Sequence, residues 1–324
     1  VALVKAGLPI TVPGITIHRN CTSSMSAVQS GYYQIKAGEA DCILAGGTDS
    51  MSMAQYTIDA MRFGACIGHA EIRDSMWDSL TNLGIGPAMG ITAENLAAQY
   101  NISRKEQDEL ALLSHTRAIN AINKGYFKEE IVPIEVKAQK QKMIADTDEH
   151  PRRDVSMEKL AILKPSFKED GTVTAGNASG INDGSAGVIL MSAKRAEELN
   201  VPVLARIVAT ATAGVEPDIM GIGPAPASRK ALAKAGLTLN SIQLIELNEA
   251  FAAQYLACEK ELGLNREITN VNGSGIALGH PVGATGVRLI VTLLHEMKRR
   301  DVRYGLATLC AGGGMGTAVI VERV

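Results

Sequence analysis

The feature that most constrains the fold is a pattern of elements that occurs twice, once near each end of the chain. In each copy a short strand leads through a polar or glycine-bearing loop into a helix, and the chain returns into a strand that ends in glycines. The first copy consists of GITIH, a helix over about 23–36 and DCILAGG; the second consists of ITNV, a helix over about 283–298 and YGLATLC followed by AGGG. This alternation predicts an α/β fold with right-handed crossovers and parallel sheets.

The two copies differ in what precedes them. The second follows a strand VLARIVAT, a helix PASRKALAKAG, a strand IQLIELN and a helix EAFAAQYLACEKELG, whereas only about a dozen residues precede the first. If the halves are duplicates, roughly fifty residues are absent from the front. We therefore expect a truncated N-terminal half over 1–50, completed by about 181–202, and a C-terminal half over 203–324.

The segment between the halves has a different pattern of predicted elements. Residues 51–180 lack a regular alternation of strand and helix, and they contain a helical pattern from about 93 to 124 that follows GITAEN. Such a length is typical of an inserted domain rather than of a sheet connection. We expect a loop domain over 51–180 that contains one long helix.

Charge, hydropathy and cysteine usage exclude several classes of protein. The 324 residues carry 34 acidic and 32 basic side chains, so the chain lacks the excess positive charge that a nucleic-acid-binding protein needs. Its apolar runs are far shorter than the ~20 residues of a membrane span, so no membrane partner is expected. Five cysteines without a CxxC pair, and a start VALVKAGLP without signal-peptide features, predict a soluble cytoplasmic protein.

Cys21 is the first candidate for chemistry. It lies where GITIHRN meets the predicted helix CTSSMSAVQ, so its sulfur would lie near free backbone N–H groups and the positive helix end. That setting predicts a lowered thiol pKa and a nucleophilic thiolate. The alternative is an inert buried cysteine, and Cys42 and Cys258, inside apolar patterns, are better candidates for that description.

Further candidates lie at similar junctions. Cys310 ends the strand GLATLC and precedes AGGGMG, and His280 lies in the glycine-rich loop NGSGIALGHPVGATG. Asn248 and Glu249 follow the strand IELN, where Asn248 could simply cap a helix. Neither glycine-rich loop has the features of a P-loop or a dinucleotide fingerprint, and the cysteines and histidine lack the local pair spacing typical of zinc ligands. We therefore expect no metal site.

These residues stand in motifs that resemble those of the thiolases. The motifs are, in order, NCTSSMSAVQ, AGGTDSMS, NEAFA, GIALGHPVGATG and TLCAGGGMG, and they span the chain from Asn20 to Gly316. The resemblance implies a duplicated five-layer αβαβα fold with an inserted loop domain and missing N-terminal elements. It also implies coenzyme A as substrate and product, acyl-CoA substrates, no prosthetic group, and a homodimer or homotetramer.

The resemblance also implies catalytic roles. Cys21 would be the nucleophile that takes the acyl group, His280 the base that activates it, and Cys310 the second acid/base, which removes the α-proton of the incoming acyl-CoA. Asn248 would hold a water that forms one oxyanion hole with His280. The backbone N–H groups of Cys21 and Gly312 would form the other, and such donors stabilise the charge that develops on a thioester oxygen.

For coenzyme A and its acyl group the family pattern points to further residues. Ser179 would lie near the pantetheine, Arg152 near the adenine end, and apolar walls would come from Leu80, Met89, Phe167, Met220, Ala250 and Phe251. Three positions depart from the pattern: Ser24 and Ser274 stand where many members have glycine, and Ala88 stands where several short-chain enzymes have histidine.

The main functional expectation is acetyl transfer between two acetyl-CoA molecules, or its reverse. One alternative is a degradative 3-ketoacyl-CoA thiolase of broader chain length, because AMGITAEN and PDIMGIGP also resemble those enzymes. Another is a non-catalytic acyl-CoA-binding or scaffold subunit. The joint presence of Cys21, His280, Cys310 and Asn248 argues against the latter, because a scaffold has no physical need for all four.

Overall fold

The computed structural model describes residues 1–59, 61–138 and 141–324, with side chains left out of the description at 137, 138 and 141. The α-helices are α1 (Ala2–Lys5), α2 (Ser23–Lys36), α3 (Ser75–Thr81), α4 (Met89–Gln99), α5 (Arg104–Asn123), α6 (Met157–Ala161), α7 (Ala193–Glu198), α8 (Pro224–Ala235), α9 (Ala252–Leu262), α10 (Gly275–Leu278) and α11 (Thr285–Arg300). The strands are β1 (Cys42–Ser50), β2 (Tyr56–Ile58), β3 (Ile72–Asp74), β4 (Ile134–Ala138), β5 (Gln141–Ala145), β6 (Asp183–Met191), β7 (Ala205–Gly214), β8 (Leu244–Leu247), β9 (Tyr304–Ala311) and β10 (Met315–Arg323). Short 3₁₀ helices lie at Met51–Met53, Met61–Phe63, Pro217–Ile222 and Leu239–Ser241.

The C-terminal sheet has the order β7-β10-β9-β8, and helices pack on both of its faces. Along β10, Ala318 and Ile320 face the cluster that contains α8 and α9, while Val319 and Val321 face the cluster that contains α2 and α11. Because side chains alternate between the two faces of a strand, a strand that is apolar at every position must be buried on both. The sheet is therefore the centre of the molecule.

A second sheet contains β1 and β6, which pair antiparallel. Ala45 of β1 packs with Met25 and Val28 of α2 and with α11, so these two helices lie between the two sheets. The described residues thus form four successive layers: the β1–β6 sheet, α2 with α11, the four-stranded sheet, and α8 with α9.

Several sequence expectations about regular elements are wrong. GITIH, residues 14–18, forms no strand, because no described segment pairs with it; ITNV forms only one bridge, from Thr269 to Ile245 of β8. Among the strands that the structure describes, β8 and β9 alone pair in parallel, and the other strand pairs are antiparallel. Cys42 is exposed rather than buried, because the outer face of β1 is uncovered in the part of the chain that the structure describes, whereas Cys258 is buried as expected.

The predicted helix over 93–124 is also wrong, because two helices, α4 and α5, occupy that stretch. Asn101 has a φ of +49° between them, a left-handed conformation that ends a helix. Ser103 then starts α5 with a capping box, in which its side chain accepts from the Glu106 N–H and the Glu106 carboxylate accepts from the Ser103 N–H. The sequence SRKE at residues 103–106 has the spacing typical of a capping box.

The extent of the predicted loop domain stays a prediction. Within it, β2–β3 and β4–β5 form two small hairpin-like pairs, and α4 and α5 contribute Leu96 and Leu110 to the same apolar cluster as α9. This part of the segment 51–180 is therefore packed against the C-terminal half.

Candidate active site

Cys21 lies two residues before α2, on a turn held by local hydrogen bonds. Asn20 has a φ of +46°, and its side-chain amide donates to the Gly312 carbonyl at 2.8 Å. The Ser23 hydroxyl donates to the Asn20 carbonyl at 2.6 Å. The half-buried Cys21 sulfur is therefore fixed at a helix start beside the β9–β10 turn, as the sequence predicted.

The predicted effect of that helix start on the Cys21 pKa is wrong. Burial raises the pKa of the thiol, and the nearby backbone groups of Gly312 and Cys21 only partly oppose this effect. The charge of Asp49 raises it further. Desolvation disfavours a thiolate more than the nearby donors favour it, so Cys21 rests as a thiol and needs a base to become a nucleophile.

Cys310 is fully buried near the end of β9, and burial and the proximity of Cys21 raise its pKa well above the usual range. Gly312 follows in the turn to β10, where an added Cβ would come within 2.7 Å of Leu83 and 3.1 Å of the Met89 sulfur. A larger residue there would have to displace the ends of these two side chains. The turn therefore brings the Gly312 backbone and Cys310 close to the Cys21 sulfur.

His280 is buried in the loop before α11, and its Nδ1 lies 2.7 Å from the Thr285 hydroxyl and 3.4 Å from Asn248 Nδ2. Its Nε2 has no hydrogen-bond partner among the described residues, and the same is true of Asn248 Oδ1. Burial and the charge of Arg288 lower the pKa of His280 to about 3. The imidazole is therefore neutral, and one nitrogen is free to accept a proton.

Asn248 does not cap α9, because Phe251 is the residue at that helix start. It directly follows β8, and its backbone N–H donates to the Thr308 carbonyl of β9 at 3.1 Å. Cys310 comes two residues after Thr308 on that parallel neighbour. The carboxyl ends of two parallel strands thus bring Asn248 and Cys310 to one edge of the sheet, where α/β proteins bind ligands.

The predicted acyl walls come together around Cys310. Met89, Met220, Ala250 and Cys310 form one buried apolar cluster, against which Leu80, Leu83 and Phe251 pack. Phe167 meets Phe251 edge to face, with 6.0 Å between the ring centroids. Leu83 was not among the walls predicted from the sequence, although it lies six residues before Met89 in NLGIGPAM.

Arg152 lines a separate cavity with His115, His150, Lys159, Ala178, Gly180 and Ile276. Ser179, whose neighbours line the same cavity, donates its N–H to the Ala250 carbonyl at 3.0 Å. That bond joins the cavity to the apolar cluster. Sequence analysis missed His115, which is buried and accepts the Arg152 N–H at 3.1 Å through Nδ1, and no motif pointed to it.

The three departures from the family pattern have structural consequences. The buried Ser24 hydroxyl accepts from the Val287 N–H at 3.1 Å and so joins α2 to α11. The Ser274 hydroxyl donates to the Leu247 carbonyl at 3.3 Å. Ala88 starts α4 without a side-chain hydrogen bond, next to Met89 of the apolar cluster.

No helix in the described ranges has the length and hydropathy to cross a membrane. Over those same ranges, no group of three or more His, Cys, Asp or Glu side chains is arranged to hold a metal ion.

Comparison with known proteins gives consistent matches over nearly the whole chain. The family model described as thiolase, N-terminal domain matches residues 1–194, and that described as thiolase, C-terminal domain matches residues 201–323. The chain is 52% identical to an acetyl-CoA acetyltransferase of Pseudomonas aeruginosa, over 99% of this chain and 82% of that protein.

Solved structures agree with these matches. The crystal structure of the Bacillus anthracis acetyl-CoA acetyltransferase superposes with a TM-score of 0.97 at 52% identity, covering 100% of this chain and 82% of that one. The human mitochondrial 3-ketoacyl-CoA thiolase in complex with CoA gives a TM-score of 0.95 at 47% identity, covering 99% and 80%. The thiolase fold and the α/β class predicted from the sequence are confirmed.

Proposed function

Because this chain belongs to the thiolase family, we propose that it acts as an acetyl-CoA C-acetyltransferase through an acyl-cysteine on Cys21. It is an acyltransferase that condenses two acetyl-CoA molecules to acetoacetyl-CoA and catalyses the reverse thiolysis. The relatives named acetyl-CoA acetyltransferase, at about half identity, favour this activity over the broader-chain and scaffold alternatives.

One observation carries the assignment of roles. The Cys21 sulfur lies beside the backbone of Gly312 and a second buried cysteine, Cys310, while the Nε2 of a neutral His280 has no partner among the described residues. A nucleophile, a backbone donor, an acid and a base are the groups that two acyl transfers require.

The resting protonation states suit the first half of thiolysis. Cys21 gives its proton to His280 Nε2 and attacks the 3-keto carbon of acetoacetyl-CoA. The C2–C3 bond breaks, the Cys310 thiol protonates C2 to release acetyl-CoA, and the imidazolium returns its proton to Cys310. The raised pKa of Cys310 makes it the resting acid for this step.

In the second half, coenzyme A gives its thiol proton to His280 and its sulfur attacks the acetyl carbon on Cys21. The bond from carbon to the Cys21 sulfur breaks, and Cys21 takes the proton from the imidazolium. The N–H groups of Cys21 and Gly312 stabilise the carbonyl oxygen of the acyl-cysteine. Asn248, through a water, and His280 stabilise the oxygen of the second thioester. Condensation follows the same steps in reverse.

Coenzyme A extends from this centre into the cavity lined by Arg152, with Ser179 along the pantetheine. Leu80, Met89, Phe167, Met220, Ala250 and Phe251 enclose the acyl group. The enzyme needs no prosthetic group, because every step uses side chains or coenzyme A. We further propose a cytoplasmic homodimer or homotetramer, which size-exclusion chromatography with light scattering tests.

Incubation with acetyl-CoA followed by peptide mass spectrometry tests the nucleophile. We expect an acetyl group on Cys21 and its loss in Cys21→Ala. Label on Cys310 alone would overturn the assignment, and absence of acetoacetyl-CoA thiolysis in the unmodified protein would overturn the function.

A further inference from the structure

Glu249, the residue after Asn248, has no part in the steps above, yet it is 2% exposed in the centre of the site. Its carboxylate accepts three hydrogen bonds: from Asn270 Nδ2 at 2.9 Å, from the Ser114 hydroxyl at 2.5 Å and from the Ile276 N–H at 3.4 Å. These partners come from three different segments. A buried carboxylate with this set of donors fixes the positions of all three.

Two of those segments lead directly to proposed catalytic groups. Ile276 belongs to α10, which ends at Leu278, two residues before His280. Asn270 also bonds the Leu247 carbonyl at 2.7 Å and accepts the Leu247 N–H at 2.8 Å, so it holds the residue before Asn248. Glu249 is therefore the shared partner of the chain segments that carry His280 and Asn248.

The third segment leads to the cavity proposed for coenzyme A. Ser114 lies in α5 next to His115, which accepts the Arg152 N–H, and both His115 and Arg152 line that cavity. The Ser114 hydroxyl also accepts the Ser274 N–H at 3.3 Å. A continuous series of contacts thus runs from Arg152 through α5 to Glu249.

We propose that Glu249 is a positioning residue that, through Ser114, ties the wall of the Arg152 cavity to the turns that carry Asn248 and His280. The inference rests on the proposed function for its rate effect but not for its structural effect. Glu249 touches no reacting atom. It holds the Asn248 carboxamide and the His280 imidazole in fixed positions relative to each other. Misplacement of a catalytic group by about 1 Å can cost on the order of 100-fold in rate.

Glu249→Gln keeps the volume of the side chain but replaces one carboxylate oxygen with an NH₂ group. That NH₂ group faces hydrogen-bond donors and cannot accept from them. We expect kcat for acetoacetyl-CoA thiolysis to fall about 10- to 100-fold, with the KM for coenzyme A within about twofold of the wild type. Ser114→Ala removes one of the three partners and should give a smaller fall. Glu249→Asp, which keeps the charge, should recover more kcat than Glu249→Gln.

The matched control is Glu94→Gln, another buried carboxylate that binds backbone N–H groups, those of Thr172 and Val173. All variants are compared at a temperature at which circular dichroism shows each to be folded. A Glu249→Gln variant with wild-type kcat, or one whose loss equals that of Glu94→Gln, would overturn the proposal.

A second readout does not need acetyl transfer. The rate of Cys21 alkylation by iodoacetamide, followed by peptide mass spectrometry across pH 5–9, reports how His280 activates the thiol. We expect Glu249→Gln to slow it or to shift its pH profile, and Glu94→Gln to leave both unchanged. An unchanged profile in Glu249→Gln contradicts the positioning role, whereas an inactive wild type with a shifted variant profile contradicts only the proposed function.

Discussion

The two sheets come from similar sequence patterns but differ in how they are covered. β9, which ends at Ala311 just before three glycines, is buried at almost every position, whereas β1, which contains Gly46 and Gly47 at its middle, is mostly exposed. Leu44 of β1 and Ile189 of β6 are 61% and 67% exposed, while Leu309 of β9 is fully buried. Apolar residues in a strand therefore indicate a buried face only where a second layer covers it.

The proposed catalytic groups divide along the same line. Cys21 lies just before α2, which packs on the exposed sheet, and is half-buried, whereas Cys310, Asn248 and His280 belong to the covered C-terminal part. The comparison predicts that the nucleophile and the acid/base can be separated by mutation, and that the two sheets respond differently to the loss of a side chain.

The largest expected effect is that of Cys310→Ser. Cys21 should still accept acetyl from acetyl-CoA, but condensation should fall by about 10²- to 10⁴-fold, since a hydroxyl is a far poorer acid/base for carbon. Acetyl-enzyme by mass spectrometry and acetoacetyl-CoA formation by absorbance measure the two halves. Equal loss of both would contradict separate roles for the two cysteines.

Two matched leucine truncations test whether the two sheets differ in how they are covered. Leu309→Ala leaves a cavity between β9 and α11 and should lower the free energy of unfolding by about 2–5 kcal/mol. Leu44→Ala removes an exposed side chain and should change it by about 0.5 kcal/mol or less. Urea unfolding measures both, and comparable losses would show that the outer face of β1 is covered in solution.

The proposed acyl pocket belongs to the covered region, so we expect its walls to limit chain length. Met220 is buried beside Met89 and Cys310, and a methylene in such a pocket is worth about 1–3 kcal/mol. We expect thiolytic kcat/KM to decline gradually from four to twelve carbons, and Met220→Ala to flatten the decline. The exposed Met53→Ala is the control. A maximum at eight carbons or beyond would favour the degradative alternative.

The last expected effect concerns pH. The pKa of His280 is about 3 in the folded protein against 6.5 for an ordinary histidine, so below pH 6.5 the unfolded chain takes up a proton that the folded protein does not. This residue's contribution to stability is present above pH 6.5 and is lost as the pH falls toward 3, by at most about 1.4 kcal/mol per pH unit. Unfolding of His280→Gln should show a shallower acid dependence than the wild type; an identical slope would refute the burial of a neutral imidazole.

Sequence patterns located what depends on local interactions. The bounds of α2 follow from the spacing of Met25, Val28, Tyr32 and Ile35 and from the stop at Gly38, and the structure gives Ser23–Lys36. The candidate residues Cys310 and Asn248 were recognised because each directly follows, or ends, an apolar strand. Because neighbouring parallel strands end at the same edge of a sheet, such positions lie close together regardless of the length of chain between them.

What could not be predicted depends on partners distant in sequence. GITIH has the composition of a strand, but a strand forms only where another segment pairs with it. The Cys21 thiol has the helix start that lowers a pKa, but burial against the β9–β10 turn and the charge of Asp49 reverse the sign. Glu249 stood in the recognised motif NEAFA, yet its partners Ser114 and Asn270 lie far along the chain.

The break between α4 and α5 determines how far apart the two ends of this segment lie. One helix over residues 93–124 would be about 48 Å long and would carry its two ends far apart. The left-handed residue Asn101 instead lets the chain change direction, so that Met89 reaches the apolar cluster around Cys310 while His115 reaches the cavity of Arg152. A single covalent segment thereby sets the spacing between the apolar cluster and the Arg152 cavity, and a residue inserted at the break would alter that spacing without touching either.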